Sequence, residues 1–309
     1  MKKINFFLVL ISIFISLFIF EVLFRYLEID KHVVYYSSNY YGYNKKPNQI
    51  IERKNKTIIT DNLGNRNSPN NTIENTNLFF LGDSITFGGS AVNNDETFSH
   101  IFAKNWNENF LNISNNGWGI QNIINYVDYH NLYKENSTYI LTCISDCFTR
   151  NLRRYEQYFF FNKNYSLGLI NYFKFFIFKI NQKLKAEHDD EKSELQKKKD
   201  NIKTMKISAT ILKDFQEKLE SINSRLIVVF SPNSNYIKSL ISGDNSIEDY
   251  TRLELFESFY ENRINFIDMI KLFDDKQLTL FKKFYIDHVH LSKEGHKLYA
   301  DLMDKEIDE

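Results

Sequence analysis

Apolar residues run unbroken at one end of this chain and recur in short, spaced blocks through the rest. The first run, Phe6 to Phe20, contains no charge, and it continues past Glu21 through Val22, Leu23 and Phe24 before Arg25. That pattern predicts a helix that reaches near-spanning length once Glu21 sits at the far interface of a bilayer. Glu21 to Leu27 offers no small residues for a signal peptidase, so residues 1–27 are expected to be a retained anchor rather than a cleaved signal. Lys2 and Lys3 ahead of the run favour a cytoplasmic amino terminus with the remainder outside the cytoplasm, although Arg25 and Lys31 pull the other way.

Further along, the pattern changes to a buried-strand rhythm. Leu78-Phe79-Phe80-Leu81 is a short apolar run ending at Gly82, as expected of a strand covered on both faces. A helical spacing follows from Thr97 to about Asn107, with Phe98, Ile101, Phe102 and Trp106 on one side. The alternation repeats: strand at Phe110–Ile113, helix at Ile120–Tyr133, strand at Tyr139–Ile144, helix at Ile207–Leu219, strand at Leu226–Phe230. A fifth strand at Asn265–Ile267 and a closing helix at Leu291–Met303 complete the series. Such alternation predicts an α/β fold, a three-layer α/β/α sandwich around a parallel sheet of about five strands.

Two stretches fall outside that rhythm. Residues 28–76 are rich in tyrosine and asparagine with little periodicity, and Asp61-Asn62-Leu63-Gly64-Asn65 carries turn chemistry, so a tether or loosely folded cap is expected there. The main domain is then 77–309, with an aromatic and charged insertion at about 151–203. Within it, Tyr165 to Ile180 places Leu169, Ile170, Phe173, Phe176, Ile177 and Ile180 at helical spacing. The expectation is a helix packed on the domain, with a membrane-surface helix or a lid as alternatives. Glu187 to Lys203 is dominated by charge and reads as a solvated helix or linker.

Composition narrows the function classes. Across 309 residues, 39 lysines and arginines balance 39 aspartates and glutamates, so no whole-chain field draws nucleic acid, and no nucleic-acid partner is expected. Cys143 and Cys147 alone make no disulfide framework and a poor metal site, and they are expected to be two buried thiols. There is no P-loop, no G-x-G-x-x-G and no H-E-x-x-H, so the expected chemistry uses no cofactor and no metal.

The chemistry-bearing residues sit where strands end. In an open parallel sheet, ligands bind beyond the carboxyl ends of the strands. Gly82-Asp83-Ser84 lies at such an end, and Ser84, just ahead of a helix, is a candidate nucleophile if a base reaches it. Taken alone the tripeptide is equally well a turn. Tyr285-Ile286-Asp287-His288-Val289-His290-Leu291-Ser292, before the closing helix, supplies the base: Asp287 holds one nitrogen of the His290 imidazole while the other faces Ser84. His288 is a weaker competitor because its spacing from Asp287 is too short, and His296 reads as structural.

Leu81-Gly82-Asp83-Ser84-Ile85-Thr86-Phe87-Gly88 resembles the first block of the GDSL or SGNH hydrolases, and Asp287-His288-Val289-His290-Leu291-Ser292 resembles their Asp-x-x-His block. Asn115-Asn116-Gly117-Trp118-Gly119 is similar to the second block. The resemblance covers about residues 77–147 and 226–303, and it implies a flavodoxin-like sheet, an acyl-serine mechanism and an oxyanion hole that includes the backbone of Ser84 and Gly117. The family's third block carries an Asn-Asp pair, where this chain has Ser145-Asp146. A serine is the shorter donor, so Ser145, the nearby Arg150 or Asn151, or the two backbone N–H groups alone are left to complete the hole. The resemblance implies an acyl ester substrate. An outward-facing anchored domain suggests acetylated glycans or lipids of the cell envelope, with O-acyl transfer or a non-catalytic glycan-binding scaffold as alternatives.

Overall fold

A computed structural model describes residues 2–28, 31–67, 71–161, 168–189, 194–243 and 247–307. The apolar amino terminus forms α1 (Lys2–Tyr26), whose stretch Phe6–Tyr26 has mean hydropathy 2.8 and whose apolar side chains from Phe6 to Phe20 are exposed. It is the one helix among the described residues long and apolar enough to cross a membrane. Two antiparallel hairpins follow, β1 (Tyr35–Ser38) with β2 (Gly42–Lys45) and β3 (Ile50–Arg53) with β4 (Lys56–Ile59).

The alternating region then folds in chain order as β5 (Leu78–Gly82), α2 (Ser84–Phe87), α3 (Phe98–Asn105), β6 (Phe110–Ser114), α4 (Ile120–Tyr129), β7 (Thr138–Cys143) and α5 (Ser145–Thr149). It continues through α6 (Gly168–Asp189), α7 (Glu194–Glu220), β8 (Arg225–Phe230), α8 (Ser234–Ser242), α9 (Ile247–Glu261), β9 (Phe266–Asp268), α10 (Asp275–Thr279) and α11 (Lys293–Ile307). Strands β5 to β9 form one parallel sheet in the order β6-β5-β7-β8-β9. The expected three-layer sandwich is present. Successive strand residues point to opposite faces: Phe79 and Leu81 join the core shared with α4 and α7, while Leu78 and Phe80 join the one shared with α3 and α11.

The predicted boundaries shift where caps decide them. Thr97 accepts from the His100 N–H and so starts α3 one residue later than its periodicity suggests. The fourth helix stops at Tyr129 rather than Tyr133, because Asn131 turns left-handed at φ 48°. The seventh is longer than its apolar core, extending back through the charged stretch to Glu194; Met205, Ala209, Leu212, Phe215 and Leu219 supply its buried face.

Residues 31–67 are not a loose tether. Tyr43, Lys45, Asn65 and Arg66 are buried, and Asp61 organises the expected turn by accepting from the N–H groups of Leu63 and Asn65. The absence of periodicity has a physical cause: short hairpins laid over a sheet edge bury tyrosines and polar groups through specific hydrogen bonds, not through one apolar stripe. The Arg66 guanidinium donates to the carbonyls of Phe87 (2.7 Å), Gly89 (2.6 Å) and Val92 (2.5 Å) and to Asn94 Oδ1 (3.0 Å). Lys45 Nζ donates to the carbonyl of Ser114 and lies 4.7 Å from the Phe87 ring.

The helix expected to pack on the domain does so along one edge only. Its predicted start at Tyr165 falls outside the described residues, and along α6 the large apolar side chains from Ile170 to Ile180 are mostly exposed.

Burial pushes the Lys45 ammonium down to about 7, against the opposing pull of Asp61, from an ordinary value of 10.5. Between those values the unfolded chain holds the proton and the folded chain releases it, so this group makes stability rise as pH climbs through that window. Lys45→Met should flatten the rise. The measurement is the urea midpoint of detergent-solubilised wild type and variant near either end of the window.

Candidate active site

Strand order reverses beside β5, whose neighbours β6 and β7 leave it in opposite directions, and a crevice opens at the carboxyl ends of strands at such a switch point. Three of the sequence blocks issue from those ends. The turn after β5 is forced tight: a Cβ on Gly82 would meet Thr86 Oγ1 at 2.2 Å and the Thr142 carbonyl at 2.3 Å. Asp83 then caps α2, accepting from the Ile85 N–H at 3.0 Å. Ser84 becomes the first helical residue and is half-buried, while Ile85, Thr86 and Phe87 are buried behind it. Buried side chains fix this short helix from below: Thr86 Oγ1 donates to the Thr142 carbonyl at 2.8 Å, and the Asn112 amide donates to the Thr86 carbonyl at 2.8 Å.

The loop after β6 is held by the amino-terminal hairpin. Tyr43 donates its hydroxyl to the Asn116 carbonyl at 2.6 Å, and Trp118 returns an indole N–H to the Tyr43 carbonyl at 3.1 Å. Asn115 donates to Asn44 Oδ1 at 3.0 Å, and Asn116 to the Tyr35 hydroxyl at 3.2 Å. Gly117 sits between them with φ 73°.

After β7, Ser145 opens α5 and is buried at 6% exposure. The two cysteines flanking it are joined in a disulfide, which corrects the expectation of two free thiols. Cys143 ends the strand and Cys147 lies in the first turn of α5, so the bend brings their Cα atoms to 5.8 Å, within bridging range. Asp83 lies within 4.8 Å of both sulfurs.

Arg150, considered from sequence only as a substitute donor, instead ties the three loops together. Its guanidinium lies 3.8 Å from Asp83 and 3.3 Å from Asp146, and it donates to the Trp118 carbonyl at 3.2 Å. Burial pushes the Asp83 carboxyl up, and Arg150 offsets part of that rise. Asn151 is exposed.

The fourth block forms the expected pair. His290 Nδ1–H donates to Asp287 Oδ2 at 2.8 Å, while Asp287 Oδ1 accepts from the N–H groups of Val289 (2.8 Å) and His290 (2.7 Å). Partial burial opposes ionisation of Asp287, but these three hydrogen bonds outweigh it and hold its carboxyl below the usual range. His288 is exposed, and the side-chain bonds of Asp287 go to His290 and the loop backbone. His296 is structural as expected: it is buried, accepts from the Phe98 N–H at 3.2 Å and stacks on the Phe98 ring, and burial drives its pKa down to about 3.

Sequence reading missed the supports: Tyr35, Tyr43, Asn44, Lys45 and Arg66 from the hairpin segment, and Tyr158 from the insertion. No local pattern set them apart, since Lys45 and Arg66 are two of seven lysines and arginines between residues 31 and 67.

The fold is an α/β/α sandwich similar to that of GDSL-type hydrolases, with the Ser84, Gly117 and Ser145 loops at the carboxyl ends of β5, β6 and β7 and the Asp287–His290 pair ahead of α11. Solved structures similar to this chain include a G-D-S-L family protein from Desulfitobacterium hafniense described as lipolytic (15% identity, TM-score 0.45, covering 75% of this chain and 99% of that one). The lipase/acylhydrolase from Enterococcus faecalis is 13% identical with TM-score 0.42 over 75% of this chain and 95% of that one. A family two carbohydrate esterase from Clostridium thermocellum, solved with cellohexaose, is 13% identical with TM-score 0.42 over 75% and 63%. No protein-family model matches the chain, nor does any curated protein sequence.

At Gly117 two costs coincide. A side chain there must adopt a left-handed backbone, about 1–2 kcal/mol, and its Cβ would lie 2.8 Å from the Tyr158 ring and hydroxyl, an overpacking cost of about 1–3 kcal/mol. Gly117→Ala should therefore destabilise by about 2–5 kcal/mol. Tyr158→Ala relieves only the second part, so a double-mutant cycle by denaturant titration should return a coupling of about 1–3 kcal/mol.

Proposed function

We propose that this chain is a serine-dependent esterase acting through an acyl-Ser84 intermediate. The observation that carries this reading is the Asp287–His290 pair, with Nδ1 bound to the carboxylate at 2.8 Å, taken together with Ser84 at the first position of α2 beyond the carboxyl end of β5. With Nδ1–H committed to Asp287, Nε2 is the acceptor for the Ser84 proton. The Ser84 Oγ forms a bond to the ester carbonyl carbon, and the alkoxide departs with the proton from Nε2. Water then repeats the sequence and releases the acid. The backbone N–H groups of Ser84 and Gly117, with Ser145 as third donor, face the developing oxyanion. The loops of all three are tied by Arg150, and the Cys143–Cys147 bridge closes around Ser145.

A cavity of about 220 Å³ supports an ester with an apolar or ring-shaped part. It is bounded by Phe87, three residues past Ser84, by Asn116 beside Gly117, and by Tyr35, Phe159, Phe160 and Phe161. Aromatic faces of this kind suit acyl chains and sugar rings alike.

The proposed setting is the outer face of a membrane, with acetylated glycans or lipids of the envelope as substrates. A disulfide persists in oxidising compartments. Glu21, near the end of α1, accepts from the N–H groups of Gly168 and Leu169 at 3.2 Å each, and Phe24 is buried against the Tyr172 ring; these contacts favour a retained helix over a cleaved one. Transfer of the acyl group to a sugar hydroxyl would use the same acyl-serine, and product analysis with an added glycan separates it from hydrolysis.

The test is labelling of the detergent-solubilised full chain with a fluorophosphonate, followed by mass mapping. An adduct at Ser84 is expected, absent from Ser84→Ala and strongly slowed in His290→Ala. Ser145→Ala should lower turnover of a short acyl ester by roughly a hundred- to a thousand-fold, the cost of one oxyanion donor. A folded protein that takes no label and hydrolyses no ester overturns the proposal.

A further inference from the structure

Helix α6 has two unlike faces. Asn171, Phe175, Phe178 and Gln182 recur at helical spacing on the side that meets the domain: Phe175 and Phe178 each lie 5.4 Å from the Phe159 ring, and Gln182 donates to the Gln157 carbonyl at 3.2 Å. On the 100° per residue of an α-helix, Phe173, Phe176, Ile177 and Ile180 fall on the opposite side. All four are exposed, at 58%, 52%, 53% and 45%. Four large apolar side chains in one row are more than scattered surface residues, and such a row marks an interaction surface.

The charges around the row say what covers it. Lys174 and Lys179 flank it on either side, Lys183 follows, and no acidic residue occurs from Gly168 to Ala186. An apolar row bordered by lysines is the pattern of a helix lying in a bilayer interface, with long stems reaching aside to anionic headgroups. The helix is also fastened to the spanning candidate: its first two N–H groups bind Glu21 of α1, and Tyr172 stacks on Phe24 at 5.1 Å. Its amino-terminal end therefore sits where α1 would leave the membrane.

We propose that α6 is an interfacial helix whose Phe173, Phe176, Ile177 and Ile180 face dips into the lipid surface beside α1, making a second membrane contact independent of the anchor. It seats the Phe159–Phe161 segment, which lines the aromatic cavity with Phe87 and Asn116, close to the headgroups.

The test uses the full chain in native membrane vesicles with a photo-cross-linking residue, Phe173→p-benzoylphenylalanine or Ile177→p-benzoylphenylalanine. Leu253→p-benzoylphenylalanine on α9, where the side chain is 62% exposed, is the control. Phospholipid adducts several-fold above the control at both α6 positions are expected. A cross-linked homodimer, an adduct to another protein, or lipid adducts no higher than at Leu253 overturns the proposal. None of these outcomes depends on esterase activity.

Discussion

The site depends on a buried guanidinium. The turn that carries Ser84 leaves β5 at a glycine too crowded for a side chain, runs through a single helical turn and ends in carbonyls that helix geometry cannot satisfy. Arg66 reaches three of the carbonyls that follow, and it is held in place by Asn94. A buried cation is costly unless its hydrogen-bonding capacity is used, and here it is used on the carbonyls that follow the Ser84 turn. Burial brings the Arg66 pKa down to about 9, and Lys45 plays the parallel role at the carboxyl end of β6.

This arrangement makes the amino-terminal segment a support of the loops that carry the candidate site residues. The first hairpin fixes the Gly117 loop through Tyr43 and Asn44, the second packs Ile51 and Ile58 on Phe87, and Arg66 closes the turn after Ser84. On the other side, Arg150 and the disulfide hold the Ser145 loop against the first two. Each loop is anchored to something outside itself, so the Ser84, Gly117 and Ser145 loops are fixed relative to one another; for the proposed esterase, that is the preorganisation that electrostatic stabilisation of a transition state requires.

The same anchoring runs through the insertion. Contacts at Glu21 and Phe24 join α1 to α6, α6 leans on Phe159, and Phe159 borders the aromatic cavity with Phe87 and Asn116.

The sequence by itself determined the parallel α/β sandwich, because a strand buried on both faces and an amphipathic helix each have a period that a local window displays. It also singled out Ser84, Asp287 and His290 as candidates, since each pair or turn is local: two residues lie between Asp287 and His290, and the carboxylate–imidazole bond spans a single turn. Only the tertiary structure decided the rest. Arg66 acts on carbonyls 21 to 26 residues away and Tyr43 on one 73 residues away, and neither leaves a periodic trace. The cysteine pair became a bridge because a strand end and a helix start bend toward each other. The apolar row of α6 has the spacing of a core helix; that it faces outward follows from which side Phe159 and Glu21 occupy, and that is set by contacts between segments far apart in the chain.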